Sequence, residues 1–272
     1  VSATTSESLS LYEIEQVHVE TNHPVALGSA DHQQPWGTAR DNSRNPEFNA
    51  KLYELFKDRF PLRVLDLGCS GGGFVRECLD DGCLAVGIEG SDFSKRTGRA
   101  EWATLADRRL FTADVTKPFT VSAEAGGVTQ PLQFDVITSW EMLEHIAKED
   151  LAVLADNIKR HLAPSGLFIG SVSPLPEVIN GVTLHLTVEE KPWWTDRFAQ
   201  DGLVNSDKYI AWFNGQYVRG PRQNAPGSFH VFLSHEGEPP TPRALTTREK
   251  LVDRWIGSPG YNAARRLVGA DR

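Results

Sequence analysis

The 272-residue chain is 40% hydrophobic and 24% charged, which suits a soluble globular protein, and its length allows one large α/β domain with appendages or two small domains. Its formal charge of −8 argues against a nucleic-acid backbone as main partner, since that needs clustered cations, and no apolar run reaches the ~18 residues of a membrane span. The start carries no signal-peptide pattern, and three cysteines without a Cys-x-x-Cys read as buried thiols in a reducing compartment, so the expected location is cytoplasmic.

Residues 1–10 are Ser/Thr-rich and expected to fray, and residues 11–19 read as a short strand or arm. The polar stretch HPVALGSADHQQPWGTARDNSRNPEF then runs for more than 20 residues without periodicity, the usual mark of a functional lid. Within it Trp36 offers an apolar surface, and Arg40, Asp41, Asn42 and Arg44 can hydrogen-bond a hydroxyl-rich substrate. Asn45 is placed to cap a helix over 46–59 with Pro46 in its first turn, burying Phe48, Leu52, Leu55 and Phe56.

RVLDLGCSGGGF, residues 63–74, is the centre of the chain. Val64, Leu65 and Leu67 suit a strand buried on both faces. Asp66 stands near its end, and Gly68, Gly71, Gly72 and Gly73 form a tight loop before a helical pattern. Glycines permit positive φ, and lacking a Cβ they let backbone lie against a cofactor. The unit points to a nucleotide-like ligand, or to an ordinary strand–helix turn. Residues 83–89 read as a second buried strand ending in Glu89, 23 positions after Asp66, close to the spacing at which an acid meets a ribose.

A helix over 93–106, a strand over 109–112 ending at Asp114, and an irregular excursion over 116–131 follow. Residues 134–139 read as a strand, then WEMLEHI, a helix over 149–162 and a strand over 167–172. This alternation implies βαβ crossovers and a doubly wound parallel sheet with helices on both faces. Beyond Pro174 a helix is expected over 192–200, strands over 208–213 (followed by the turn pair Asn214-Gly215) and 228–234, and helices over 247–256 and 261–268. The near-balanced charge of the tail reads as a docked or mobile appendage.

VLDLGCSGGGF, the acids at 89 and 114 and SWEMLEHI occur in an order that resembles class I S-adenosylmethionine-dependent methyltransferases of the small-molecule type. The E-x-L-E-H segment is similar to that of the ubiquinone-biosynthesis O-methyltransferases. Ser70 replaces a glycine of the usual pattern, which weighs against NAD more than against adenosylmethionine, since no pyrophosphate must press on the backbone. The resemblance spans about residues 64–173. It implies a Rossmann-like, seven-stranded, mainly parallel sheet with the last strand antiparallel, an N-terminal arm and lid (1–45), a methyltransferase domain (46–235) and a C-terminal tail (236–272). It also implies that Asp66 and Gly68, with Cys69 and Gly71, lie near the methionine and ribose. Glu89 with Gly90 would bind the ribose hydroxyls and Asp114 with Val115 the adenine. Ser139 and Trp140 would line the sulfonium side, with Asp135 structural.

An acid at a strand end also serves as a helix cap, and Trp140 fits a core equally well. Glu141, Glu144 and His145 fall at i, i+3 and i+4, which a helix brings onto one face. That set suits a general base, a divalent-metal site, or a solvated helix start. His145 is the preferred base, because an imidazole titrating near neutrality can take a hydroxyl proton. His185 is the second candidate, with Trp193, Trp36, Arg40 and Glu141 on the substrate side. The expected reaction is methyl transfer to a small polar acceptor, an oxygen of a sugar or secondary metabolite. The alternatives are protein or RNA methylation on the same fold, or a cofactor-binding scaffold without turnover.

Overall fold

The computed structural model describes residues 11–256, together with 260, 261 and 264. The stretch expected to fray at 1–10 and most of the helix expected at 261–268 lie outside them. A 3-10 turn at Leu11–Glu13 leads to β1 (Gln16–Thr21). The N-terminal segment then runs through the short helix α1 (Ala30–Gln33) to α2 (Pro46–Leu55). Asn45 caps α2, its Oδ1 accepting the amides of Glu47 and Phe48. The helix stops at Leu55 and a 3-10 turn, Lys57–Arg59, continues it, so it is shorter than the 46–59 expected from its pattern.

The central unit is β2 (Arg63–Leu67), the glycine loop, α3 (Gly73–Asp80) and β3 (Leu84–Glu89). The helix expected over 93–106 is two, α4 (Phe93–Thr97) and α5 (Trp102–Leu105), because Gly98 and Ala100 take positive φ. After β4 (Leu110–Thr112), the supposed irregular excursion is a hairpin, β5 (Phe119–Ala125) and β6 (Val128–Pro131), turning on Gly126-Gly127. Its alternating burial and paired glycines are the pattern of a two-residue turn. Strand β5 also pairs antiparallel with β1, Gln16 opposite Glu124, making a separate three-stranded sheet. Strand β7 (Phe134–Trp140), helix α6 (Leu151–His161) and β8 (Leu162–Val172) complete the parallel set.

The small hairpin β9 (Val178–Ile179) and β10 (Val182–Thr183) precedes α7 (Lys191–Gln200) and β11 (Val204–Asn205). Residues 208–213, expected as a strand, are helix α8 (Lys208–Phe213). Tyr209, Trp212 and Phe213 are buried together, which only a helical spacing of three and four allows. Asn214, with φ of 46°, caps it, so Asn-Gly closes a helix here rather than a hairpin. Strand β12 (Phe229–Ser234) and helix α9 (Thr247–Trp255) follow.

The main sheet has seven strands in the order β11-β12-β8-β7-β2-β3-β4. Strands β8, β7, β2, β3 and β4 are parallel, and β12 runs antiparallel to β8, Val231 opposite Gly170. Strand alternation sorts the core into two layers. Leu65, Leu67 and Ile137 face one side with Leu154 and Ile158 of α6 and Trp194 of α7, while Val64 and Val136 face the other with Phe48, Phe74 and Phe213. Each such fully buried side chain stabilises the fold by about 1.5–3 kcal/mol. The carboxyl ends of β2, β3, β4 and β7 thus fall along one edge, where parallel α/β sheets bind ligands.

Candidate active site

Along that edge lies a cavity of about 500 Å³, roofed by the N-terminal segment. Segment and sheet are tied by backbone bonds: Ala26 donates to the Gly90 carbonyl (2.9 Å) and Asp114 to the His23 carbonyl (2.9 Å). Among the cofactor residues read from sequence, Gly68, Glu89, Gly90, Asp114, Val115 and Trp140 line the cavity. Glu89 is buried at the end of β3, its Oε2 accepting the Ser70 amide (2.7 Å) and its Oε1 the Ser91 amide (3.2 Å). Each oxygen keeps a lone pair for a hydroxyl. Burial pushes the carboxyl up, and the Ser91 and Ser70 amides pull it back. Asp114 takes the Thr116 amide and hydroxyl on Oδ1 alone (2.9 and 2.6 Å), leaving Oδ2 to accept an adenine amino group.

Four of the cofactor residues read from sequence stand outside the cavity wall. Asp66 lies behind it, 2% exposed, accepting the Thr138 hydroxyl at 2.7 Å, with its carboxyl pushed up to about 8 by burial. Cys69 and Ser139 are buried beneath the loop. Gly71 serves the protein's own chain: a Cβ there would come within 2.5 Å of Asn42 Oδ1 and 2.8 Å of the Asp41 carbonyl. Gly68 does face the cavity, with φ of 76° and a Cβ position 2.7 Å from Met142. Asp135 caps the start of β2, accepting the Arg63 amide at 3.0 Å.

The helix expected to place Glu141, Glu144 and His145 on one face does not form. Glu141 takes φ of 52° and a 3-10 turn, Leu143–His145, follows, so the three are not held at helical spacing, although Glu144 and His145 stay close. Glu141 lines the cavity and accepts the Ser228 hydroxyl (2.8 Å). Glu144 is fully buried, taking the Ser173 amide (3.1 Å), and burial, then Glu141, raises its carboxyl to about 8. His145 lines the cavity with Nδ1 2.9 Å from Asp31 Oδ2.

The Glu144 carbonyl accepts the amides of Leu186 and Thr187, which carries His185 beside His145, ring centres 4.8 Å apart. Glu144, His145 and His185 fall within 4.8 Å of one another. The histidines nonetheless have protein partners: His145 faces Asp31, while His185 Nδ1 meets the Leu175 carbonyl (2.5 Å) and Nε2 the Glu177 carboxylate (3.3 Å). Both imidazoles face a carboxylate, Asp31 for His145 and Glu177 for His185, an arrangement that suits a proton acceptor. Burial lowers His185. Burial also depresses His145, but Asp31, then Glu144 and Glu177, outweigh it and raise the imidazole to about 9.

The remaining substrate-side residues are not brought to the cavity. Trp36 is half exposed, with the Arg40 guanidinium stacked on its ring (3.1 Å). Trp193 packs against Trp194 under the Lys148 ammonium, with centroid distances of 5.3 and 4.9 Å. Sequence reasoning missed Asp31, Ser91, Met142, Asp150, Leu186 and Arg219, all of which line the cavity. Asp31 lies in the stretch read as a lid and Met142 within WEMLEHI, while Ser91, Asp150, Leu186 and Arg219 carry no local pattern that marks them.

The model of a methyltransferase domain matches residues 40–214. The chain belongs to the methyltransferase domain family. Curated relatives are ubiquinone biosynthesis O-methyltransferases. That of Azoarcus sp. is 35% identical over 96 residues, covering 34% of this chain and 37% of the relative. That of Psychrobacter cryohalolentis is 33% identical over 109 residues, 39% of each chain. The chain thus spans about two fifths of the relatives it matches. Among solved structures it is similar to the magnesium protoporphyrin IX methyltransferase of Synechocystis, at 12% identity and a TM-score of 0.48, over 77% of this chain and 97% of that one.

S-adenosylmethionine fits the donor set on this chain's own terms. The paired oxygens of Glu89 suit a ribose diol and Asp114 Oδ2 an adenine amino group. Three residues that line the cavity carry buried polar atoms without aligned partners: Trp140 Nε1, Glu141 Oε1 and His145 Nδ1. Such atoms are costly unless a ligand satisfies them.

Proposed function

We propose that the protein transfers a methyl group from S-adenosylmethionine to an oxygen of a small polar acceptor, such as a sugar or other secondary metabolite. The observation that carries this reading is that one roofed cavity is lined by Glu89, Glu141 and His145 together. The names of the relatives support oxygen as the acceptor atom. A chamber of about 500 Å³ under a roof favours a small molecule over a protein or RNA chain.

When bound, S-adenosylmethionine supplies a methyl group activated on a sulfonium. The chain's residues do the rest. Glu89 and Asp114 fix the nucleoside, and Gly68, Gly90, Val115 and Trp140 shape the wall around it. The N-terminal segment acts as a lid that excludes water, and holding acceptor and methyl in line supplies much of the acceleration. His145 accepts the hydroxyl proton as the oxygen–methyl bond forms, a smaller contribution. His185 supports His145 from behind. The division that goes with this reading is an arm and lid over 1–45, the catalytic domain over 46–235 and a tail over 236–272.

The test is incorporation of labelled methyl from S-adenosylmethionine into fractions of a cell extract. Label in the low-molecular-weight fraction supports the reading. Label in protein or RNA would replace it with macromolecular methylation. Tight S-adenosylhomocysteine binding without any transfer would mark a scaffold.

A further inference from the structure

His145 belongs to the catalytic domain, but the carboxylate at 2.9 Å from its Nδ1 is that of Asp31, in α1 of the N-terminal segment. Asp31 is fixed on both sides. Ser29 caps α1 by accepting the His32 amide (3.1 Å), and the preceding Ala26 donates to the Gly90 carbonyl. On the far side the carbonyls of Thr38 and Asp41 accept Arg99 and Ser70.

The other groups facing His145 do not take this role. Glu144 accepts the Ser173 amide on Oε1 and its full burial favours the protonated form, His185 presents its ring, and Glu177 is paired with His185. The Asp31 contact has hydrogen-bond distance, but the ring N–H lacks an aligned acceptor. Catalytic hydrogen bonds often align only in the substrate complex.

We propose that Asp31 is a positioning residue for His145, so that the general base is complete only when the N-terminal segment is docked. The carboxylate holds Nδ1 protonated and turned toward α1, which presents Nε2 to the acceptor. On transfer the oxygen–carbon bond forms as the sulfur–carbon bond breaks. The acceptor's proton passes to Nε2, and the resulting imidazolium faces the Asp31 carboxylate until the proton leaves to solvent. The neutral thioether departs. This inference rests on the methyl-transfer reading above.

The experiment compares wild type, Asp31→Asn and Asp31→Glu by three readouts: calorimetric affinity for S-adenosylhomocysteine, the maximal rate of labelled methyl transfer into the small-molecule extract, and an NMR titration of the His145 ring. Asp31→Asn is expected to slow transfer about tenfold or more while leaving affinity within about threefold, and to lower the His145 midpoint by about one pH unit or more. Asp31→Glu should restore most of the rate. A full rate in Asp31→Asn, or an unmoved midpoint, overturns the proposal and leaves the methyl-transfer reading intact. A wild type that neither binds nor transfers overturns both.

Discussion

Arg99 donates to the Ser70 hydroxyl at 3.1 Å, and the two groups converge on the same pair of carbonyls, those of Thr38 and Asp41. Ser70 is the residue that departs from the glycine pattern, and it holds φ of 47°, a backbone angle costly for any side chain. The strain is offset by fastening the roof to the cofactor loop. Ser70→Gly removes both strain and hydroxyl, so thermal stability should stay within about 1 kcal/mol of wild type. Ser70→Ala keeps the strain and loses the hydroxyl, so it should be about 1 kcal/mol less stable than Ser70→Gly. Both variants should be cut faster by protease within residues 22–44. Equal cleavage in all three proteins would mean that the hydroxyl does not hold the segment.

The tail is fastened by a buried ion pair. Lys51 Nζ lies 2.7 Å from Asp253 Oδ2, with side-chain exposures of 11% and 12%, and also donates to the Trp212 carbonyl (3.0 Å). Asp253→Ala leaves a buried ammonium unpaired and should cost about 3 kcal/mol in denaturant unfolding. Adding Lys51→Met should recover most of that loss. Additive losses would show the pair to be uncoupled.

Stability should fall as pH rises from about 6.5 to about 9. Asp66 and Glu144, both pushed up to about 8, and His145, raised to about 9, hold protons in the folded state that the unfolded chain has released. A raised folded pKa means stability lost as pH climbs through it. Below about 6.5 the buried His161 and His230, each lowered to about 4 by burial, act in the opposite sense to the two acids, because the unfolded chain takes up their protons first. Melting temperatures across this range test the sign. Asp66→Asn should flatten the alkaline decline, and a melting temperature rising toward pH 9 would refute the assignment.

The rate should depend on pH through His145. Only the neutral imidazole can accept a proton, and Asp31 keeps the ring charged below about pH 9. The acceptor kcat/KM, which reports the free enzyme, should therefore rise with pH toward that value. His185, lowered by burial, cannot supply such a limb. A flat profile between about pH 6 and 9 would remove His145 as the base.

The alternating strands and helices of the central sheet were legible because buried parallel strands are continuous apolar runs and their turns are glycine-marked, as at Gly68. Glu89 and Asp114 were legible for the same reason, standing at strand ends. Residues 208–213 were not, since YIAWF fits either period and only packing of Trp212 and Phe213 on α2 chooses the helix. The hairpin at 119–131 was legible in its alternation and Gly126-Gly127, but its composition suggested a loop. The i, i+3, i+4 spacing of Glu141, Glu144 and His145 misled because Glu141 breaks the helix, and Asp31 was invisible because its partner lies in another part of the chain.

The central claim is most directly tested by calorimetric titration of wild type and Glu89→Ala with S-adenosylhomocysteine, run beside NAD. Binding of S-adenosylhomocysteine alone, lost in Glu89→Ala, is the expected result, because the proposal assigns the ribose hydroxyls to that carboxylate, whose two oxygens are held by the Ser70 and Ser91 amides. Equal affinity in wild type and variant, or binding of NAD in its place, would contradict the account.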